Sequence, residues 1–274
     1  MPGTLWLVGT PIGNLADSSD RAARTLQAVD LIACEDPRRT RKLLSHLGVP
    51  ARRLLTFNEG NERRQVPFLL DQLRAGRDVA VVSDAGMPGL SDPGYRLVVA
   101  CVGEGVPVDV VPGPSAAIAA LVISGLPTAR FAFEGFLPRK EGERRARLTA
   151  LADDPRTVVL FESPRRLRDL LADALATLGD RRAAVVRELT KVHQEALRGR
   201  LSELPGRLAE EVLGEVVVVI EGAAERPEAD LETLGARVEA LTAEGLSRKE
   251  AAARVAEEAG VSKRALYEAS LRRR

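Results

Sequence analysis

The stretch Val79–Leu126 constrains the fold more than any other, because it passes twice from an apolar run through a Gly/Pro-rich loop into a helical pattern. Val79–Val82 is wholly apolar and breaks at Ser83-Asp84 into a loop holding Gly86, Pro88, Gly89, Pro93 and Gly94. Tyr95, Leu97, Val98, Cys101 and Val102 then recur at helical spacing until Gly103–Gly105. A second apolar run, Val106–Val111, breaks at Pro112-Gly113-Pro114, and Ser115 opens another apolar helix. Short strands apolar at every position belong to sheets covered on both faces, and ligands sit at the carboxyl ends of such strands. Gly and Pro at those ends let backbone amides approach a ligand with little side chain between them. The stretch therefore predicts an α/β fold and the floor of a cofactor site.

The rest of the chain repeats the strand-then-helix theme. Leu5–Val8 is a strand ending in Gly9-Thr10-Pro11-Ile12-Gly13-Asn14, with Asp17, Ser18 and Ser19 as candidate N-caps for the next helix. No Lys-Ser/Thr follows Gly13, so this is no P-loop, and the glycines do not fit the dinucleotide pattern. A plain turn explains Gly9 and Gly13 almost as well as a ligand does. Leu31–Cys34 ends in Glu35-Asp36, and the bases that follow as far as Lys42 suggest a mouth meeting a charged ligand. A polar stretch, Arg52–Arg64, precedes a predicted helix over Val66–Leu73.

Beyond Pro127, strands are expected at Phe131–Phe136, Thr157–Phe161, Ala183–Val186 and Glu215–Ile220, with Glu195–Arg200 extended. Helices are expected over Arg165–Leu178 and Ser202–Val212. Arg139, Lys140, Arg144, Arg145 and Arg147 form the densest basic segment, a candidate polyanion contact whose plainer reading is a solvated helix face. The organisation that follows is an N-terminal α/β domain over 1–117, a second over 118–223 and a helical tail over 224–274. In the tail, Ser247-Arg248-Lys249-Glu250 is a capping box, Gly260 ends one helix and Ser262 caps another, a helix-turn-helix-like order.

Composition excludes more than it assigns. The 40 Lys+Arg and 39 Asp+Glu nearly cancel, so net charge points to no nucleic-acid partner, and 3% aromatic residues argue against a base-stacking platform. Cys34 and Cys101 sit in apolar runs and are expected as buried free thiols. His46 and His193 have no partner at metal-ligand spacing, so no metal is expected. No stretch has the length of a membrane span and the first residues lack a signal-peptide pattern, so the protein is expected in the cytoplasm.

Eight motifs in order then carry a resemblance: GTPIGNL at Gly9–Leu15, Glu35-Asp36 with Arg38, SDAGMPGLSDPG at Ser83–Gly94, PGPSA at Pro112–Ala116, GFLP at Gly135–Pro138, ESPRR at Glu162–Arg166, RELTK at Arg187–Lys191 and GEVVVVIEG at Gly214–Gly222. Over about Leu5–Gly222 the chain resembles the bacterial small-subunit (16S) ribosomal RNA 2′-O-ribose methyltransferases of the tetrapyrrole methylase superfamily, which methylate a cytidine in the decoding centre. Pro37 departs from the pattern, which has Thr there, so no hydroxyl is available at that position. The resemblance implies two α/β domains with S-adenosylmethionine in the interdomain cleft, commonly as a homodimer, with small-subunit ribosomal RNA as partner. Carried over motif by motif, it places Pro11, Ser83, Asp84, Ala85, Gly86, Ser115, Ala116, Glu162 and Leu189 at the cofactor.

Methyl transfer is an in-line displacement that needs alignment more than a metal or a covalent nucleophile, consistent with the lack of a Ser/His/Asp or Cys/His arrangement. A ribose hydroxyl is weakly acidic, so a base or an orienting group is expected. Glu35, Asp36, Glu188 and Lys191 end strands on the cleft side. Glu35, Asp36 and Lys191 are taken as the catalytic candidates, with Glu35 and Lys191 expected to meet across the cleft. Two alternatives stay open: a tetrapyrrole (uroporphyrinogen- or precorrin-type) methyltransferase, and a nucleic-acid-binding regulator whose tail reads DNA.

Overall fold

The apolar runs of the first half pair side by side as β1 (Leu5–Val8), β2 (Leu31–Cys34), β3 (Leu54–Thr56), β4 (Val79–Val82) and β5 (Val108–Val111). They make a five-stranded parallel sheet in the order β3-β2-β4-β1-β5. Val8, Ile32, Cys34, Ala80 and Val82 face α1 (Asp20–Ala28) and α2 (Pro37–His46). Leu5, Leu31, Ala33, Val79 and Val81 face α3 (Glu62–Arg74) and α4 (Tyr95–Gly103). Coverage of both faces is why β2 and β4 are apolar and buried at every position, while the edge strand β5 carries the exposed Asp109. Each Val, Leu or Ile so buried contributes on the order of 2 kcal/mol. Cys34 and Cys101 are free and buried in these two layers.

The computed structural model describes every residue except 52, 225–230, 260–262 and 272–274, so Arg52, Gly260 and Ser262 lie outside the described residues. Within the first half two expectations shift. β5 begins at Val108, because Val106 N–H instead closes α4 on the Cys101 carbonyl at 2.9 Å. β3 lies in the stretch read only as polar; a three-residue edge strand is too short to show a period.

α5 (Ala116–Ser124) leaves the first sheet and packs on the second. That sheet contains β6 (Phe131–Phe136), β7 (Thr157–Glu162), β8 (Arg182–Arg187), β9 (Glu195–Arg200) and β10 (Val216–Ile220), in the order β6-β7-β10-β8-β9. Only β6 and β7 run parallel. Val159, Val186, Val217 and Val219 face α5, while Val158, Leu160, Val185 and Val218 face α6 (Glu141–Ala150), α7 (Leu167–Leu178) and the short α8 (Leu204–Arg207). The helix expected over Ser202–Val212 is therefore a single turn. Pro205 fits a first turn, but Gly206 follows it and Leu208 is already extended at φ −71° and ψ 141°.

The described residues fall into two compact units, Met1–Ala223 with both sheets and Ala224–Arg274. The second holds α9 (Leu231–Ala243), α10 (Arg248–Ala259) and α11 (Lys263–Leu271) around Val238, Ala251, Ala252, Val255, Ala256 and Leu266. The capping box forms as read: Glu250 N–H donates to Ser247 Oγ at 3.3 Å, and Ser247 N–H to Glu250 Oε2 at 3.1 Å. Among the described residues no helix is long and apolar enough to cross a membrane.

Candidate active site

The carboxyl ends of β1, β4 and β5 meet backbone to backbone. Thr10 N–H donates to the Gly86 carbonyl at 2.9 Å and Gly86 N–H to the Thr10 carbonyl at 3.1 Å. A Cβ on Gly9 would lie 2.7 Å from Gly113 Cα, and one on Gly13 2.6 Å from Lys191 Cγ. These two glycines are therefore close-approach residues rather than plain turn residues. Gly86 has φ +83°, the left-handed region that glycine enters at little cost.

Two openings adjoin here. A cavity of about 450 Å³, in the size range of small-ligand sites, is lined by Asp84, Ala85, Gly86, Ser115, Ala116 and Glu162, six of the nine residues expected at the cofactor. Glu35, Arg39, Asp92, Phe136 and Phe161 line it as well. Pro11 and Ser83 line a smaller neighbouring pocket of about 260 Å³, together with Lys42 and Lys191. Leu189 lines neither and is buried against Ile12 and α5. The larger cavity merges with a groove of about 1840 Å³ between the two sheets, and the two share Glu35, Ser91, Asp92, Phe136 and Glu162.

On the first-sheet side two carboxylates that face both openings, Glu35 and Asp92, have no ion pair among the described residues. Glu35 forms no ion pair among the described residues; its Oε2 is 3.5 Å from Asp84 N–H. Burial first, then the charge of Asp84, pushes its carboxyl above the usual range. Asp92 is pushed up to about 6, by burial first and next by the charge of Glu35, with the Ser83 hydroxyl opposing. Asp84 is tied to Arg39 Nε at 3.5 Å and accepts from Asp36 N–H at 3.1 Å. Asp36 itself caps α2: it accepts from Arg38 N–H at 2.8 Å and pairs with the Arg38 guanidinium at 2.9 Å, which holds its carboxyl low. Pro37 takes the first helical position, where its missing N–H is harmless.

On the second-sheet side acids and bases are matched. Glu162 is 2% exposed; its Oε1 accepts from Ser163 N–H at 2.7 Å and its Oε2 lies 3.1 Å from Arg166 Nη2, outside hydrogen-bond geometry. Arg166 Nη2 donates to the carbonyls of Leu137 and Pro138, binding the GFLP loop to the ESPRR loop. Lys191 pairs with Glu188 at 2.9 Å and Glu215 at 3.4 Å. The pair expected between Glu35 and Lys191 does not form, because two carboxylates nearer in the fold hold the ammonium. Glu188 and Thr190 have φ +50° and +63°, so this turn is a strained one held by those bonds.

The basic segment after β6 divides in two. Arg144 is buried and its guanidinium lies 2.6 Å from Asp173 Oδ2, while Arg145 Nε donates to Asp173 Oδ1 at 2.6 Å. Both are structural, which corrects the expectation that they contact a polyanion. Arg139 lines the groove without an ion pair among the described residues, as do Arg63 and Arg165. Sequence reasoning missed the groove face of Asp92 and the aromatic wall, where Phe161 stands 4.9 Å from Phe133 and 5.6 Å from Phe136 between ring centroids. Asp92 was visible only inside the SDAGMPGLSDPG run, and nothing in that run ranks it above Asp84.

Comparison with known proteins agrees with this geometry. A family model described as tetrapyrrole (corrin/porphyrin) methylases matches residues 4–205. The ribosomal RNA small subunit methyltransferase I of Mycobacterium tuberculosis is 50% identical over 275 residues, covering 99% of this chain and 96% of that protein. The protein of the same name from Thermotoga maritima is 49% identical over 221 residues, 80% of this chain and 99% of its own length. Among solved structures, uroporphyrin III C-methyl transferase from Thermus thermophilus matches with a TM-score of 0.58 at 23% identity, covering 79% of this chain and 97% of that one. Diphthine synthase matches at 0.60 and 14% identity, covering 80% and 89%. At such identities the structural likeness speaks for the fold alone.

Proposed function

The chain belongs to the tetrapyrrole (corrin/porphyrin) methylases, and from that premise we propose that it uses S-adenosylmethionine to methylate the 2′-hydroxyl of a cytidine ribose in the decoding centre of small-subunit ribosomal RNA. The observation that carries this reading is the pair of adjoining openings: an acid-lined cavity sized for a small ligand, continuous with a long groove bearing unpaired arginines. The relatives that match nearly the whole chain are named as methyltransferases of small-subunit ribosomal RNA, which favours RNA over a macrocycle as acceptor.

The residues fit the cofactor by charge and by shape. When bound, it supplies a methyl group on a positively charged sulfur. Glu35, Asp84 and Asp92 face the cavity against the single guanidinium of Arg39, a surplus of negative charge that suits a cation. Ser115 and Ala116 open α5 at the cavity wall, where free backbone N–H groups suit a ligand carboxylate. The small side chains of Ala85, Gly86 and Ala116 leave room for it. Residues 1–117 and 118–223 serve as the two domains whose sheets wall the cleft. Arg63, Arg139 and Arg165 hold phosphates along the groove. The exposed Tyr95, Val99 and Val102, on one face of α4, support a homodimer that covers them.

The test is transfer of labelled methyl from S-adenosylmethionine to small ribosomal subunits taken from cells lacking this gene, beside transfer to uroporphyrinogen. Label on one cytidine ribose of the RNA is expected. Label on the macrocycle alone would overturn the reading.

A further inference from the structure

We infer that Asp92 is the carboxylate that accepts the proton of the acceptor hydroxyl, an assignment that rests on the RNA-methyltransferase reading. A hydroxyl entering from the groove must meet a methyl group presented from the cavity, so its base must be reachable from both. Among the described residues, Glu35, Asp92 and Glu162 are the titratable side chains that line both openings. Glu162 is committed: Ser163 N–H donates to one oxygen at 2.7 Å and Arg166 Nη2 sits 3.1 Å from the other. Glu35 is engaged by the Asp84 N–H, 3.5 Å from its Oε2. Asp92 has neither an ion pair nor a backbone donor among the described residues.

Its backbone is held firmly for such a role. Ser91 before it has φ +63°, and Gly94 after Pro93 has φ +135°. Glu62, itself buried at the start of α3, accepts from Gly94 N–H at 2.9 Å and Arg96 N–H at 3.3 Å, and Gly89 N–H donates to the Pro93 carbonyl at 3.1 Å. A loop fixed at both ends aims its side chain with little freedom, as a base must be aimed.

The charged groups facing Asp92 set its proton affinity. Glu35 approaches from the end of β2 and Asp84 from the end of β4, with Arg39 paired to Asp84 at 3.5 Å. Glu62 and Arg96 are paired with each other at 3.6 Å, and Arg63 lines the groove on α3. Glu162 and Arg166 stand on the opposite sheet as a matched pair. Burial and the two acids on its own sheet thus raise Asp92 to about 6, near the pH at which a general base works best.

In the step, the 2′-hydroxyl proton passes to an Asp92 oxygen as the ribose oxygen bonds to the methyl carbon. The carbon–sulfur electron pair stays on sulfur, which departs as a neutral thioether, and Asp92 later releases its proton to water in the groove. Loss of the sulfonium charge balances neutralisation of the carboxylate.

The test uses the full chain and small ribosomal subunits in single-turnover methylation from about pH 5 to 9, with RNA affinity and melting measured alongside. Wild type is expected to show an acid limb centred near 6. Asp92→Asn should lose about 10²- to 10⁴-fold in rate and lose that limb, with RNA affinity kept. Glu35→Gln should move the limb to lower pH, because a negative charge facing Asp92 is gone. Without any RNA, Asp92→Asn should melt higher than wild type at pH 8, since a disfavoured, partly buried charge is removed. A variant that keeps both rate and limb, or that loses rate and also melts lower at pH 8, overturns the assignment. So does a flat profile in Glu35→Gln with an intact limb in Asp92→Asn. A wild-type chain that binds S-adenosylmethionine but labels no ribosomal RNA overturns the reading of function instead, and the assignment with it.

Discussion

The carboxylates of the second sheet and two of the first, Glu35 and Asp92, stand in opposite electrical surroundings. Around the second sheet they are paired: Glu134 with Arg147 at 2.6 Å, Glu162 with Arg166 at 3.1 Å, Asp173 with both Arg144 and Arg145 at 2.6 Å, and Glu188 with Lys191 at 2.9 Å. At the strand ends of the first sheet, Glu35 and Asp92 face each other and Asp84, and their carboxyls are pushed up. Matched charges fix loops and helices in place. Crowded like charges are a cost to folding that persists where a cationic ligand or a proton relieves it. One wall is therefore built for shape and the other for chemistry.

The comparison breaks most visibly at Asp173. Asp173→Ala leaves Arg144, whose side chain is 7% exposed, as an unpaired buried cation. A loss of about 3–5 kcal/mol is expected in denaturant unfolding. A loss under about 1 kcal/mol would mean the second wall is not held by its pairs. Next in size is Gly113→Ala, where the added Cβ would lie 2.8 Å from Gly9 Cα. Overpacking of this kind costs about 1–3 kcal/mol. Calorimetry should also show S-adenosylmethionine affinity falling at least about tenfold as the paired loops separate, a fall of one RT ln 10 step or more.

Asp92→Asn sharpens the comparison from the other side. Asp92 titrates at about 6 in the folded chain against an ordinary 3.8. The folded state thus binds the extra proton between those values, and stability falls as pH rises through that window. Removing the charge should leave stability unchanged well below pH 4 and raise it at pH 8 by on the order of 2 kcal/mol. Equal melting of variant and wild type at pH 8 would show that the like charges do not crowd one another. The smallest effect on folding belongs to Arg139 and Arg165. Changing both to Ala should move stability by no more than about 0.5 kcal/mol. The salt dependence of RNA binding should nonetheless flatten by about one unit of slope for each phosphate no longer neutralised.

The tail offers a separate check. The Thermotoga maritima relative aligns over 221 residues, close in length to the first unit, Met1–Ala223. A chain ending at Ala224 is expected to retain S-adenosylmethionine binding by calorimetry.

Most strands were legible from residues alone. Val79–Val82 and Leu31–Cys34 appear with the bounds their apolar runs predict, because burial on both faces demands unbroken apolarity. The capping box at Ser247 was equally local, a pattern four residues long. Ser202–Val212 misled because its apolar spacing fits a helix while Pro205-Gly206 cuts it to one turn. The glycine loops marked where a ligand approaches backbone, and six residues carried over from the motifs line one cavity.

What the sequence determined by itself, then, is whatever depends on neighbours along the chain: strands, caps, turns and the loops that close a small-ligand cavity. Partnership across the fold was decided only in three dimensions. Arg139 and Arg144 are alike in sequence, yet one lines an open groove and the other is sealed on Asp173, 29 residues onward. Lys191 was matched to Glu35 on topology and found Glu188 and Glu215 nearer. Asp36 looked as reactive as its neighbour and became a helix cap, while Asp92, unremarked in its motif, came to face two like charges at the junction of cavity and groove. The physical reason is range: helix and strand preferences act over a few residues, whereas an ion's partner and its access to water are set by whatever the fold brings within a few ångströms.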